Sequence, residues 1–277
     1  MGSSTDKSCM ESGVFRKECC WNEFRAERAL TPPPGPITLS QAKWPIDCSS
    51  GPMTDTPLSG HTILKVLVGS HAHGLAGPDS DRDYRRVYVM PTVDMFRLGF
   101  KPPGTRWAQS GDDETAWEIG PFLSLAIQCH PLVLETLVAP VTSLDRWGTE
   151  LRDLFPAIWH PQRAYDAFIG YGLNQRTKFL EKKDGRPAKY AATYIRTLYH
   201  LCELLETGTF TFRIADVPIG KTIAALKDGM FRTGEVIDLA EHWTEEAARR
   251  LAQCRHRSDP AAVDEFLIRI RKAFLVR

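Results

Sequence analysis

No two of the seven cysteines stand in a C-x-x-C arrangement, and their number is odd. That spacing fits neither a tetrahedral zinc site nor a disulfide framework, so reduced thiols are expected. Net charge is equally scarce: 35 Lys and Arg against 34 Asp and Glu leave a formal +1. No global field draws the chain to nucleic acid or membrane, although a local basic face is still allowed. No apolar run approaches the roughly 18 residues of a spanning helix. The first residues also hold no apolar core of the signal-peptide kind. A cytoplasmic protein is the expectation. No repeat of fixed period is visible, which sets aside solenoids and propellers.

What is present is ordinary for a globular protein: 277 residues, 43% apolar and 25% charged, enough for a substantial core. Residues 1–52 stand apart. They hold four of the seven cysteines and a "TPPPGP" run, with no sustained period. They read as a poorly ordered extension, with Met53 a candidate start of the functional chain. From Thr62 the pattern tightens. "TILKVLVG" is a β-branched apolar run that suits a buried strand, and "YRRVYVMP" is a second strand ended by Pro91. "TRWAQSGDDETAWEIG" contains a third. "PFLSLAIQCHPLVLETLVAP" has helical spacing, with Pro121 in a first turn and Pro131 interrupting. Beyond residue 150 five amphipathic helices follow one another, with Gly or Pro between them. The expected fold is α+β: a mixed sheet with helices over residues 53–150, then an all-helical domain over 151–277.

The chemistry concentrates in "VLVGSHAHGLAGPDSDRDYRRVYVMP". Asp81 and Asp83 are two apart, so on a strand both would project from one face and repel each other. A divalent cation removes that penalty. Magnesium prefers hard oxygen ligands, one or two carboxylates plus substrate phosphates and waters. Opposite them, Gly69 lets the backbone approach a ligand closely, and the Ser70 hydroxyl and following amides can donate to phosphate oxygens.

The run G-S-x-x-x-G followed by S-D-x-D resembles the signature of the DNA polymerase β-type nucleotidyltransferase superfamily. The matching residues are Gly69, Ser70, Gly74, Ser80, Asp81 and Asp83. Together with Glu118-Ile119-x-x-Phe122 and Pro131-x-x-x-Glu135, the stretch is also similar to the YcgL-like predicted nucleotidyltransferases, over roughly residues 62–275. The resemblance implies a minimal nucleotidyltransferase fold, a nucleoside triphosphate donor, and Mg2+ or Mn2+ held by three carboxylates. Two are Asp81 and Asp83. For the third, Glu118 is the choice, at the end of a strand before a helix, with Asp113 and Glu114 as rivals. Three positions depart from the family pattern: His73 in place of an aromatic, Arg86 in place of Gly, and His130 in place of Asn.

Gly69, Ser70 and Ser80 are the expected phosphate-binding turn, and Lys178, Lys189 and Arg196 the expected neutralisers of triphosphate charge. His71 and His73 suit either phosphate contact or turn packing. Tyr171 and Gln175, one turn apart, suit either the cleft or packing, and Glu135 reads as structural. The function expected is metal-dependent transfer of a nucleoside monophosphate to an acceptor hydroxyl, releasing pyrophosphate. The acceptor is open: a protein hydroxyl, an RNA end or a small molecule. The alternative is a non-catalytic, nucleotide-binding or regulatory module of the same fold, antitoxin-like in kind.

Overall fold

Five strands form one mixed sheet in the order β3-β4-β2-β1-β5: β1 (His61–Val68), β2 (Asp83–Val89), β3 (Arg106–Ser110), β4 (Asp112–Glu118) and β5 (Val141–Leu144). The computed structural model describes residues 60–275, apart from 79, 102 and 111, so the expectation for residues 1–52 lies outside the described residues. Ile63, Leu64, Val66 and Val68 are buried, as the apolar run of β1 requires of a strand flanked on both sides. β1 runs antiparallel to β2 and β5, β2 parallel to β4, and β3 antiparallel to β4. The stretch read as holding one strand therefore folds back on itself to make two. The S-G-D-D sequence between Trp107 and Glu118 is the turn signal for that reversal. β5 has no sequence signature, because all four of its residues are exposed at the sheet edge.

Helices account for most of the rest. α1 (Gly69–His73) is a single turn leaving β1, and α2 (Ile119–Ala126) and α3 (Pro131–Val138) follow β4. The interruption expected at Pro131 is a real break: α2 and α3 meet at 110°, with Cys129 in the left-handed region (φ 57°) between them and Pro131 opening α3. Among the described residues no single helix is long and apolar enough to cross a membrane. α4 (Arg146–Asp153) and α5 (Phe155–Ile158) lead into α6 (Pro161–Leu180), α7 (Pro187–Thr207), α8 (Gly220–Lys227), α9 (Thr233–Gln253) and α10 (Pro260–Ala273). α6–α10 correspond to the five helices expected, with Pro at the first turn of α6, α7 and α10 and Gly208 (φ 83°) closing α7.

One apolar cluster runs from Val66 and Trp117 of the sheet to Phe168 of α6, Leu201 of α7 and Phe266 of α10. A second gathers Ala191, Ile195 and Leu198 of α7 with Ile223 of α8 and Val236 of α9. Helix α7 belongs to both, its N-terminal half to the second cluster and its C-terminal half to the first. This fixes the N-terminal end of α7 relative to β2. α10 returns to the sheet, where the Arg271 carbonyl accepts from Thr92 Oγ1 at 2.7 Å and the Phe274 carbonyl from the Thr92 N–H at 2.8 Å.

Candidate active site

β1 ends at Val68, opposite Asp83 on β2. The chain then turns at Gly69 (φ 67°) into α1. A Cβ at Gly69 would lie 2.0 Å from Oδ2 of Asp83, so the carboxylate rests directly on the backbone of the turn. Only glycine allows both the left-handed conformation and that approach. The loop beyond α1 is fastened by its own residues. His71 Nε2 donates to the Ser80 carbonyl at 2.8 Å, and Ser80 Oγ accepts from the Gly77 N–H at 2.9 Å. Of the two readings open for His71, turn packing is the one its hydrogen bond serves.

The carboxylates meet through sheet register. Asp113 of β4 is the direct partner of Asp83 in the parallel pair, and adjacent strands lie about 4.8 Å apart. Asp81 precedes β2 in the loop and is exposed, so the two aspartates do not share a strand face as expected. Asp81 nonetheless lies close enough to act on Asp83. Burial raises the pKa of Asp83 above its ordinary value; Lys189 and Arg85 pull it down, while Asp113 and Asp81 push it up. Among the described residues no group of three or more His, Cys, Asp or Glu is placed to hold a metal ion by itself. The donor chemistry nevertheless fits a hard cation. Crowded, partly desolvated carboxylates beside a glycine turn meet magnesium's requirement for one or two carboxylates, with phosphate and water completing its shell.

Glu118 is elsewhere. It lies five residues along β4 from Asp113, paired with Tyr88, and so faces the opposite side of the sheet. It is 1% exposed, and Arg271 of α10 grips both its oxygens at 2.5 and 2.7 Å. Its Oε2 also accepts from the Gly120 N–H at 2.8 Å, capping α2. The expectation fails because a strand-to-helix glutamate serves equally as an N-cap. Glu114 is on that opposite face too, paired with Lys65 at 2.7 Å and Arg86 at 2.8 Å. Arg86, one of the departures from the family pattern, thus has a partner away from Asp83.

The expected phosphate-neutralising residues separate. Lys189, exposed in the first turn of α7, is the strongest charge acting on Asp83. Lys178 instead lies over the Tyr190 ring, 5.7 Å from its centroid. Arg196 is corrected as well: it is committed to Glu135 in a buried network. Glu135 of α3 also pairs with Arg85 of β2 at 3.2 Å, and Arg85 donates to the Leu132 carbonyl at 2.6 Å. Burial would raise the Glu135 pKa, but Arg196 and Arg85 hold it well below the usual carboxylate range. His200 of α7 lies 3.9 Å from Glu135, and burial with Arg196 keeps its pKa well below that of an ordinary histidine. His73 of α1 is lowered to about 3, first by burial and then by Arg196. Neutral His73 therefore carries its proton on Nδ1, which donates to the Phe212 carbonyl at 2.8 Å. Gln175 is buried, and Tyr171 lies edge-on to His130. The network was not read from sequence, although Arg196 and His200 at i, i+4 share a helix face with Lys189.

Compared with known proteins, the chain matches RlaP, described as the RNA repair pathway DNA polymerase beta family, over residues 55–218. It is also 22% identical over 131 residues to an uncharacterized 38.9 kDa protein from the nrdC-mobD intergenic region of Enterobacteria phage T4. That similarity covers 43% of this chain and 38% of the phage protein, under half the length of either.

Proposed function

The chain belongs to the RNA repair pathway DNA polymerase beta family, and from that premise we propose that it is a divalent-metal-dependent nucleotidyltransferase. The acceptor hydroxyl oxygen attacks the α-phosphorus of a nucleoside triphosphate, the bond to the β-phosphate oxygen breaks, and pyrophosphate leaves. The observation that carries this reading is the Asp83 carboxylate lying on the Gly69 backbone, with Asp113 as its strand partner. Asp83 and Asp113, with Asp81 at the open side, are the residues that would hold Mg2+ or Mn2+. When bound, the cation supplies charge neutralisation of the phosphates and of the departing oxygen. The Gly69–Ser70 turn presents backbone amides and a hydroxyl to the triphosphate, and Lys189 offsets its charge. The acceptor hydroxyl gives up its proton to a carboxylate of the site or to water as the new bond forms. Most of the rate enhancement from the protein comes from positioning and preorganised charge.

The family description makes an RNA end the first acceptor to test, ahead of a protein hydroxyl or a small molecule. The finer YcgL-like resemblance rests on the motif alone. We place the protein in the cytoplasm on its cysteine usage; Cys129, Cys202 and Cys254 are free thiols. The test incubates the full chain with each labelled nucleoside triphosphate, magnesium or manganese, and RNA, protein and small-molecule acceptors. Transfer that disappears in Asp83→Asn and Asp113→Asn is expected. Nucleotide binding with no transfer to any acceptor would overturn the enzymatic reading and leave a regulatory module.

A further inference from the structure

The chain is almost neutral, yet its positive charge is unevenly placed. Between positions 176 and 189 stand Arg176, Lys178, Lys182, Lys183, Arg186 and Lys189, opposed only by Glu181 and Asp184. Lys182, Lys183 and Arg186 make up half of the turn between α6 and α7, and all three are exposed. Neither they nor Lys189 form an ion pair with another described residue. One of the two acids is occupied: Asp184 accepts from the Tyr190 hydroxyl at 2.7 Å.

The turn is also held in an unusual shape. Lys182 (φ 50°), Asp184 (φ 55°) and Gly185 (φ 65°) are all in the left-handed region, which non-glycine residues adopt seldom. Backbone hydrogen bonds fix it, from Gly185 N to the Lys182 carbonyl at 3.1 Å and from Arg186 N to the Lys183 carbonyl at 3.2 Å. The basic side chains are thus carried on a turn of defined shape.

Beside the turn lies a cavity of about 230 Å³. Phe179, Leu180, Pro187, Phe231 and Val236 line it, and Lys182 stands at its edge. Whole-ligand pockets run to roughly 300–1,000 Å³, so this one suits a single planar ring system. Phe231 is half-buried and so offers a surface to stack on. An ordered set of unpaired cations beside one aromatic-lined slot is the arrangement that holds a single nucleic-acid strand, with phosphates on the charges and a base against the ring. Arg186 lies one turn before Lys189, the residue whose charge reaches Asp83.

We propose that the α6–α7 turn and the adjoining cavity form a docking site for a single RNA strand, which leads its end along α7 toward Asp83. This rests on the nucleotidyltransferase reading with an RNA acceptor, but it is tested by binding alone. The experiment measures fluorescence anisotropy of a labelled single-stranded oligoribonucleotide with the full chain over a series of salt concentrations. Lys182→Glu/Lys183→Glu/Arg186→Glu is expected to weaken binding at least about tenfold. Removing three phosphate contacts should also make the slope of log K against log salt shallower by about 2. Phe231→Ala is expected to weaken binding about tenfold with the slope unchanged. The neutral triple variant Lys182→Gln/Lys183→Gln/Arg186→Gln, checked for an unchanged melting temperature, guards against misfolding as the cause. Wild-type protein that binds no RNA, or triple variants with unaltered affinity and slope, would overturn the proposal and leave transfer to another acceptor intact. An acidic peptide of equal charge that competes as well as RNA would also overturn it.

Discussion

Burial, helped by the charges of Asp113 and Asp81, raises the pKa of Asp83 in spite of the opposing pull of Lys189 and Arg85. Between its ordinary pKa and the raised one, the folded state binds more protons than the unfolded chain. Stability therefore falls as pH rises through that window and stays lower above it. Asp83→Asn is expected to raise the melting temperature near neutral pH while reducing transfer at least about a hundredfold. Added magnesium should raise the melting temperature of the wild type and leave that of the variant unmoved; equal shifts in both would remove Asp83 from the cation site. Asp113 and Glu118 give the opposite pattern to each other. Asp113→Asn should abolish transfer with the fold intact. Glu118→Ala leaves the half-buried Arg271 without its partner and α2 without its cap, and should cost about 1–3 kcal/mol in denaturant unfolding. A Glu118→Ala protein that is stable but inactive would restore Glu118 as a ligand. Gly69→Ala should be both unstable and inactive, since its methyl group would occupy the position of the Asp83 carboxylate.

α1, β2, α3 and α7 are joined through Glu135, Arg85, Arg196, His73 and His200 rather than through apolar packing alone. Unfolded, His73 takes up a proton near its ordinary pKa of 6.5; folded, it does so only at about 3. As pH drops through that window the unfolded chain gains protons that the folded one refuses, so stability is lost progressively. The depressed pKa of Glu135 acts in the same direction below the usual carboxylate range. The melting temperature is expected to fall between pH 6.5 and 4, with a shallower slope in His73→Gln; an identical slope would show that His73 does not contribute. How much of this could be read beforehand depended on the range of the contact. β1, the break at Pro131 and the helices α6–α10 are written in local periodicity and in Pro and Gly positions. The glycine turn and Asp83 were readable because a short motif contains both sides of the contact. Asp113 could be named only as a rival to Glu118, and the Glu135 network not at all, because strand register and the docking of α7 are set by packing between residues tens of positions apart. For the same reason Glu118 and Arg196, chemically suitable on paper, turned out to be held by Arg271 and Glu135.

The strands and the helices share one apolar cluster, in which Phe266 of α10 is fully buried and packs edge-on to Trp147 at 6.1 Å. Phe266→Ala is expected to cost about 3–5 kcal/mol. Tryptophan fluorescence and far-UV circular dichroism should still report one coincident transition. Two separate transitions would mean that sheet and helices unfold independently. The family similarity ends at residue 218, yet contacts that hold the glycine turn and the end of β4 come from beyond it. Lys227 donates to the Leu75 carbonyl at the end of the glycine turn, and Arg271 clasps Glu118. Ala215, just inside that limit, packs so closely on Gly74 that a Cβ there would meet its methyl group at 2.8 Å. A fragment trimmed to the shared region would thus keep every acid of the proposed centre and lose part of its buttressing. In this chain the boundary of kinship and the boundary of mechanical support fall in different places.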